Sequence, residues 1–117
     1  MSLFSHTHVP AVSAEKAMEM LKDGAVLIDI REIDEWSAGH APMAIHVPMA
    51  DLGAKATEFT TTSPTLYICR SGRRSDHAVG ALVNAGYHAI NLDGGMQAWK
   101  QAGGAVVRDD GATGTVI

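Results

Sequence analysis

The chain contains a single cysteine, Cys69. No internal disulfide can form, so the fold must rest on packing, and a lone free thiol fits a reducing compartment. Aromatic residues are scarce, at 5% of 117 residues. The core must then be filled by Ala, Val, Ile, Leu and Met, and six methionines suit that role. Positive charge is also in short supply. The formal net charge is −4, which argues against general nucleic-acid binding, because that function needs a basic face. No apolar run approaches the roughly 20 residues that span a bilayer, so no membrane association is expected. The opening "MSLFSHTHVP" has neither a basic region nor a long apolar stretch. It does not read as a secretory signal, and a cytoplasmic location is expected.

What remains is the composition of an ordinary globular domain, with 46% hydrophobic and 19% charged residues. A length of 117 residues points to one domain. Residues 1–8 read as a disordered tail or an expression remnant, residues 9–108 as the domain, and residues 109–117 as a C-terminal tail with loose final residues. His6 and His8 lie on the first of these segments without further ligands nearby, so they read as solvated and no metal is expected. Nor is any cofactor.

Short apolar runs alternate with amphipathic segments. "VPAV", Val9 to Val12, reads as an edge strand, since Pro10 cannot donate to a ladder. "SAEKAMEMLKDG" reads as a helix with Ser13 as N-cap and Gly24 just past its end. Its apolar stripe is Ala14, Ala17, Met18 and Leu21. "AVLIDI", Ala25 to Ile30, has the continuous apolar character of a strand buried on both faces. A short helix closed by Gly39 follows, then the strand "AIHVP" and a short helix or irregular turn over Asp51 to Phe59. "TLYIC", Thr65 to Cys69, reads as a central strand, Arg74 to Ala85 as a helix, "HAINL" as another strand and "MQAWKQAG" as a final helix. This alternation predicts an α/β domain with a mostly parallel sheet covered on both faces.

Cys69 ends the central strand and "RSGRR" joins it to a helix. In open α/β sheets ligands bind outside the carboxyl ends of the strands. A helix N-terminus there offers unpaired N–H groups and a favourable dipole for an anion. Gly72 lets successive amides converge into a nest. Three of the nine basic residues, Arg70, Arg73 and Arg74, fall within five positions. Together these features favour a thiolate over a thiol, and Cys69 reads as a nucleophile.

The residues also carry a family resemblance. "CRSGRRS", "LIDIREIDEWSAGHAPMAIHVP" and "LDGGMQAW" resemble the signatures of single-domain rhodaneses, the thiosulfate sulfurtransferase-like family, over roughly residues 9–104. The resemblance implies about five mostly parallel strands with helices on both faces. It implies that Cys69 takes a sulfane sulfur from a small donor such as thiosulfate and passes it to a thiol, cyanide or a protein acceptor, through a persulfide. Residues Arg70, Ser71, Gly72, Arg73, Arg74 and Ser75 would bind the donor, with the amides of 70–75 cradling the sulfur and the Ser75 hydroxyl adding a hydrogen bond. Arg70 and Arg73 would hold the donor's oxyanion, while Arg74 either joins them or braces the loop on an acidic residue. Asp29 and Arg31, at the end of another central strand, are supporting residues, expected as an ion pair that fixes loops. Glu32 and Glu35 would pair with the loop arginines or open a helix. Trp36 and Trp99 are expected to pack, with lining the pocket as the alternative, His40 to be a hydrogen-bonded structural histidine, and His77 to sit on a helix surface, with an approach to the mouth of the site as its alternative. Gly94 and Gly95 read as backbone punctuation, with the turn a candidate for the site rim.

Three alternatives stand beside this reading. A phosphatase of related fold with a Cys-x5-Arg loop would need Arg at position 75, where this chain has Ser75. A non-catalytic rhodanese-like binding or regulatory module would have little use for the cysteine. A redox thiol would need a second cysteine to resolve a disulfide. The sequence leaves the oligomeric state open.

Overall fold

Four-residue apolar strands with short connections to helices build the centre of the molecule. The computed structural model describes residues 9–59 and 63–117; His6, His8 and the rest of the first eight residues lie outside them, as does part of the loop expected before Thr65. In chain order the elements are β1 (Ala11–Val12), α1 (Ala14–Lys22), β2 (Val26–Asp29), α2 (Ile33–Ala38), β3 (Ile45–His46), α3 (Leu52–Lys55), β4 (Thr65–Ile68), α4 (Arg73–Asn84), β5 (Ala89–Leu92) and α5 (Gly95–Gln101). Short 3-10 turns, Met49–Asp51 and Ala56–Glu58, flank α3, so the segment expected as a short helix or irregular turn is both. Every strand pair is parallel, in the order β1-β5-β4-β2-β3. The five-stranded parallel α/β sheet expected from the sequence is present, and β1 is an edge strand as Pro10 required.

Strand alternation divides the core into two layers. Leu27, Leu66, Ile68 and Leu92 face one way, onto Ala14 and Ala17 of α1 and Met96 and Trp99 of α5. Ile28, Tyr67 and Cys69 face the other way, onto Leu52 of α3 and Ala78, Val79 and Leu82 of α4. Cys69 therefore turns toward the helix that follows it, because it stands two residues after Tyr67. The register sets the strand ends level: Asp29 lies opposite Ile68 and His46, and Tyr67 opposite Asn91. The residues just past those ends thus collect along one edge of the sheet.

Local signals explain the boundaries. The Ser13 side chain accepts a hydrogen bond from the Lys16 amide at 3.1 Å, capping α1. Glu32 and Glu35 form a reciprocal capping box at the start of α2. The Trp99 indole N–H donates to the Ala105 carbonyl at 2.9 Å and anchors the chain after α5.

The C-terminal segment departs from expectation. It is packed rather than loose. Val107 bridges His40 on one side and Thr113 on the other, and the Thr115 amide donates to the Ala38 carbonyl at 2.9 Å. Gly114, one of the glycines that suggested looseness, permits close approach instead: a Cβ on it would lie 2.6 Å from the Gly39 Cα. A Cβ on Gly39 would lie 2.5 Å from the Thr115 carbonyl oxygen and 2.7 Å from Val106 Cγ1. Gly39→Ala should therefore force the C-terminal return off α2. The expected result is a loss of about 1–3 kcal/mol, the usual range for overpacking, in denaturant unfolding. Selective loss of slow hydrogen exchange at the Thr115 amide should accompany it.

Candidate active site

The loop between β4 and α4 wraps around the Cys69 sulfur. Gly72 is the N-cap of α4 and has φ +97°, a left-handed conformation that glycine adopts without penalty. A Cβ there would also lie 2.9 Å from the Gly94 amide nitrogen. That backbone turn aims the Gly72 amide at Cys69 Sγ, at 3.1 Å. The Ser75 amide, at 3.5 Å, and the Ser75 hydroxyl, at 3.3 Å, reach the same sulfur. The first turn of α4 adds its dipole.

Cys69 is only 1% exposed. Burial alone would push its thiol up, but the Ser75 hydroxyl and the amides of Ser75, Gly72 and Arg74 outweigh burial and hold it below the ordinary value. The acidity thus comes from hydrogen bonds aimed at the charged form. His77 stands exposed on α4, and it lines the hollow at the loop mouth with Ser71, Gly72 and Arg73.

The loop is held from behind. The amides of Met96 and Gln97, in the first turn of α5, donate to the carbonyls of Cys69 and Arg70 at 2.8 and 3.1 Å. Gly95 makes this approach feasible, since a Cβ on it would collide with those two carbonyls. The Gly94–Gly95 turn is thus the floor on which the loop rests.

The three loop arginines divide. Arg70 and Arg73 are exposed, and among the described residues neither enters an ion pair. Arg74 turns aside and makes a two-pronged bridge to Glu35, with both contacts at 2.7 Å. The bridge to Arg74 draws the Glu35 carboxyl below its usual range, against burial; the Glu32 amide and the Arg31 charge add to it. Glu35 also closes the α2 capping box by accepting from the Glu32 amide at 3.1 Å. One side chain thus joins the start of α2 to the Cys69 loop, and the bracing role considered for Arg74 is the one its geometry shows.

Asp29 and Arg31 form a fully buried ion pair. Arg31 Nε and Nη2 reach the Asp29 carboxylate at 3.0 and 2.8 Å, and Nη2 also donates to the Gly39 carbonyl at 2.7 Å. The pair anchors the loops around β2 and lies outside the contacts to sulfur. Trp36 stacks between two imidazoles, His40 at 3.6 Å and His46 at 4.7 Å. His40 Nδ1 donates to the Trp36 carbonyl at 2.8 Å, a structural histidine as expected. Among the described residues no group of His, Cys, Asp and Glu could hold a metal. No helix among them is long and apolar enough to cross a membrane.

Asn91 escaped the sequence reading. It is 2% exposed on β5, and its side-chain amide donates to the Gly72 carbonyl at 3.2 Å. A signal existed: a lone amide stands inside the apolar run "HAINL".

A parallel α/β sheet with a cysteine in an amide-lined loop at its carboxyl edge defines a class of anion-handling domains. Comparison with known proteins narrows it. The chain matches the rhodanese-like domain family over residues 13–102. It is 38% identical over 74 residues to the Bacillus subtilis (strain 168) protein described as "Putative sulfurtransferase YtwF", covering 63% of this chain and 72% of that one. Its structure resembles that of a rhodanese-related protein from Thermoplasma volcanium, with a TM-score of 0.76, 28% identity, and coverage of 84% of this chain and 97% of that one. It also resembles part of the reduced Bacillus anthracis CoADR-RHD, with a TM-score of 0.73 and 27% identity over 78% of this chain; there the match spans only 16% of the longer protein. The chain belongs to the rhodanese-like domain family.

Two measurements test the site. Ser75→Ala should move the pH midpoint of Cys69 alkylation upward, because the hydroxyl is the largest of the contributions that lower it; an unchanged midpoint would remove that hydrogen bond from the account. Glu35→Gln should cost about 1–2 kcal/mol at pH 7, a charged hydrogen-bond loss discounted because the Arg74 side chain is 38% exposed. The folded Glu35 carboxyl is depressed, so its contribution is complete above the ordinary Glu value of about 4.3 and fades as pH falls through the lower folded value. The difference from wild type should shrink over that acid window in denaturant titrations.

Proposed function

We propose that this protein is a sulfurtransferase that moves a sulfane sulfur from a small donor to a thiophilic acceptor through a Cys69 persulfide. One observation carries the reading: a buried sulfur receives two backbone amides and a hydroxyl. Membership of the rhodanese-like family and the relative described as a sulfurtransferase support it.

With thiosulfate as donor, the Cys69 thiolate attacks the outer sulfur. A new S–S bond forms, the donor's S–S bond breaks, and its electron pair leaves on sulfite. The negative charge now rests on the outer sulfur of the persulfide. In the second step an acceptor, whether cyanide, a thiol or a protein thiol, attacks that outer sulfur and Cys69 departs as thiolate. With cyanide the product is thiocyanate. Neither step needs a proton delivered by the protein, because a stabilised thiolate both attacks and leaves readily. The amides of residues 70–75 are suited to hold the charge as it shifts by one atom.

Arg70 and Arg73, exposed and without ion-pair partners, are the groups proposed to receive the donor's oxyanion. Arg74 is committed to Glu35 and braces the loop. The free thiol suits the reducing conditions of the cytoplasm, the location we propose.

Mass spectrometry after incubation with thiosulfate tests the reading. The wild type should gain the mass of one sulfur atom at Cys69, and Cys69→Ser should gain none. Thiocyanate should form on adding cyanide. Absence of an adduct with any sulfane donor, or phosphate release from an aryl phosphate instead, would overturn it.

A further inference from the structure

The carbonyl of Gly72 is the point at which the sulfur cradle could fail. The Ser75 hydroxyl stands 3.3 Å from Cys69 Sγ and also 3.3 Å from the Gly72 carbonyl oxygen. It has one proton and cannot serve both. The same distance means different things for the two acceptors. It lies beyond the usual O–H···O range of 2.5–3.0 Å, whereas sulfur, a larger atom, is bonded at longer range.

The carbonyl also has other donors. It accepts the Asp76 amide at 3.0 Å, the first hydrogen bond of α4, and the Asn91 side-chain amide at 3.2 Å. A carbonyl oxygen has two lone pairs. Asp76 and Asn91 fill them, and the Ser75 proton is left to the sulfur. We propose that Asn91 is a positioning residue: by saturating the Gly72 carbonyl it keeps the Ser75 hydroxyl directed at Cys69.

The amide orientation supports this. Turned the other way, Asn91 would set its own carbonyl oxygen against that of Gly72. In the orientation present, Asn91 Oδ1 is buried without a partner. An unsatisfied buried acceptor costs about 1–3 kcal/mol, and an apolar residue at this point of β5 would avoid that cost. The strand carries the penalty and keeps a donor on Gly72. Asn91 lies opposite Tyr67 in the register, two residues before Cys69, so its place beneath the loop is set by the sheet.

The proposal deepens the sulfurtransferase reading by naming what tunes the same thiol. It is tested on the thiol itself, so it can fail while sulfur transfer stands, and the reverse. The experiment is alkylation of Cys69 as a function of pH in wild type, Asn91→Leu, Ser75→Ala and the double variant. At a pH below the wild-type midpoint, Asn91→Leu should slow alkylation about three- to tenfold, the scale of one weakened hydrogen bond to a charge. In the Ser75→Ala background the same substitution should change the rate by less than about twofold, because the hydroxyl it directs is gone. A merely structural role would slow alkylation equally in both backgrounds, and that result, or no effect on the wild-type background, would overturn the proposal. Asn91→Ala repeats the cycle should the leucine variant fold poorly. The unmodified protein supplies a further check by NMR. One Asn91 side-chain amide proton should exchange slowly and shift with the Cys69 titration; rapid exchange and no shift would also overturn the proposal.

Discussion

For a thiol that solvent barely reaches to give up its proton, the protein itself must solvate the charge, because an unpaired buried charge is far too costly to persist. Nearly every feature of the β4–α4 edge follows from that constraint. Gly72 adopts a left-handed turn because only that turn brings its amide to Cys69 Sγ. Ser75 is buried because its hydroxyl and amide are both needed there. The donors must also stay in place when the charge changes. Backbone amides do so at low cost, since the loop is hydrogen-bonded to α5 through the Cys69 and Arg70 carbonyls. Gly95, at the start of α5, is required by that contact and not by the turn alone.

Charged pairs outside the cradle hold it without entering it. Glu35 joins α2 to the loop through Arg74. Arg31 is locked to Asp29 and to the Gly39 carbonyl, and Gly39 in turn packs on the C-terminal return. A path of direct contacts therefore runs from the chain end, through α2, to the reactive loop. Buried ion pairs are poor sources of net stability. Their value here is geometric, since removing either partner would leave an unpaired charge beside the loop.

Much of this was legible in the sequence, and the exceptions have physical reasons. Continuous apolar runs such as "AVLIDI" and "TLYIC" betray strands buried on both faces, and the helices between them force a parallel sheet. The place of Cys69 at a strand end followed at once, as did the cradle suggested by Gly72. Pairings between distant residues did not. Glu35 and Arg74 are 39 positions apart, so Glu32 and Glu35 were equal candidates until the fold separated their roles: Glu32 caps α2, while Glu35 both caps it and binds Arg74. The C-terminal return is not legible because "GAVVRDDGATGTVI" looks loose by composition, whereas its contact with α2 rests on close backbone approach at Gly39 and Gly114. Asn91 was passed over because one polar residue does not disturb an apolar strand pattern, and its partner is a backbone carbonyl with no signature of its own.

The donors around Cys69 bear on how it can react. A serine nucleophile would need a neighbour to take its proton. A thiol whose charged form is already held by hydrogen bonds does not. The residues that shift the Cys69 thiol are hydrogen-bond donors, not ionisable bases. Such donors suit a sulfur that attacks and departs as an anion. The donors present around Cys69 are thus the feature of the site that bears on group transfer.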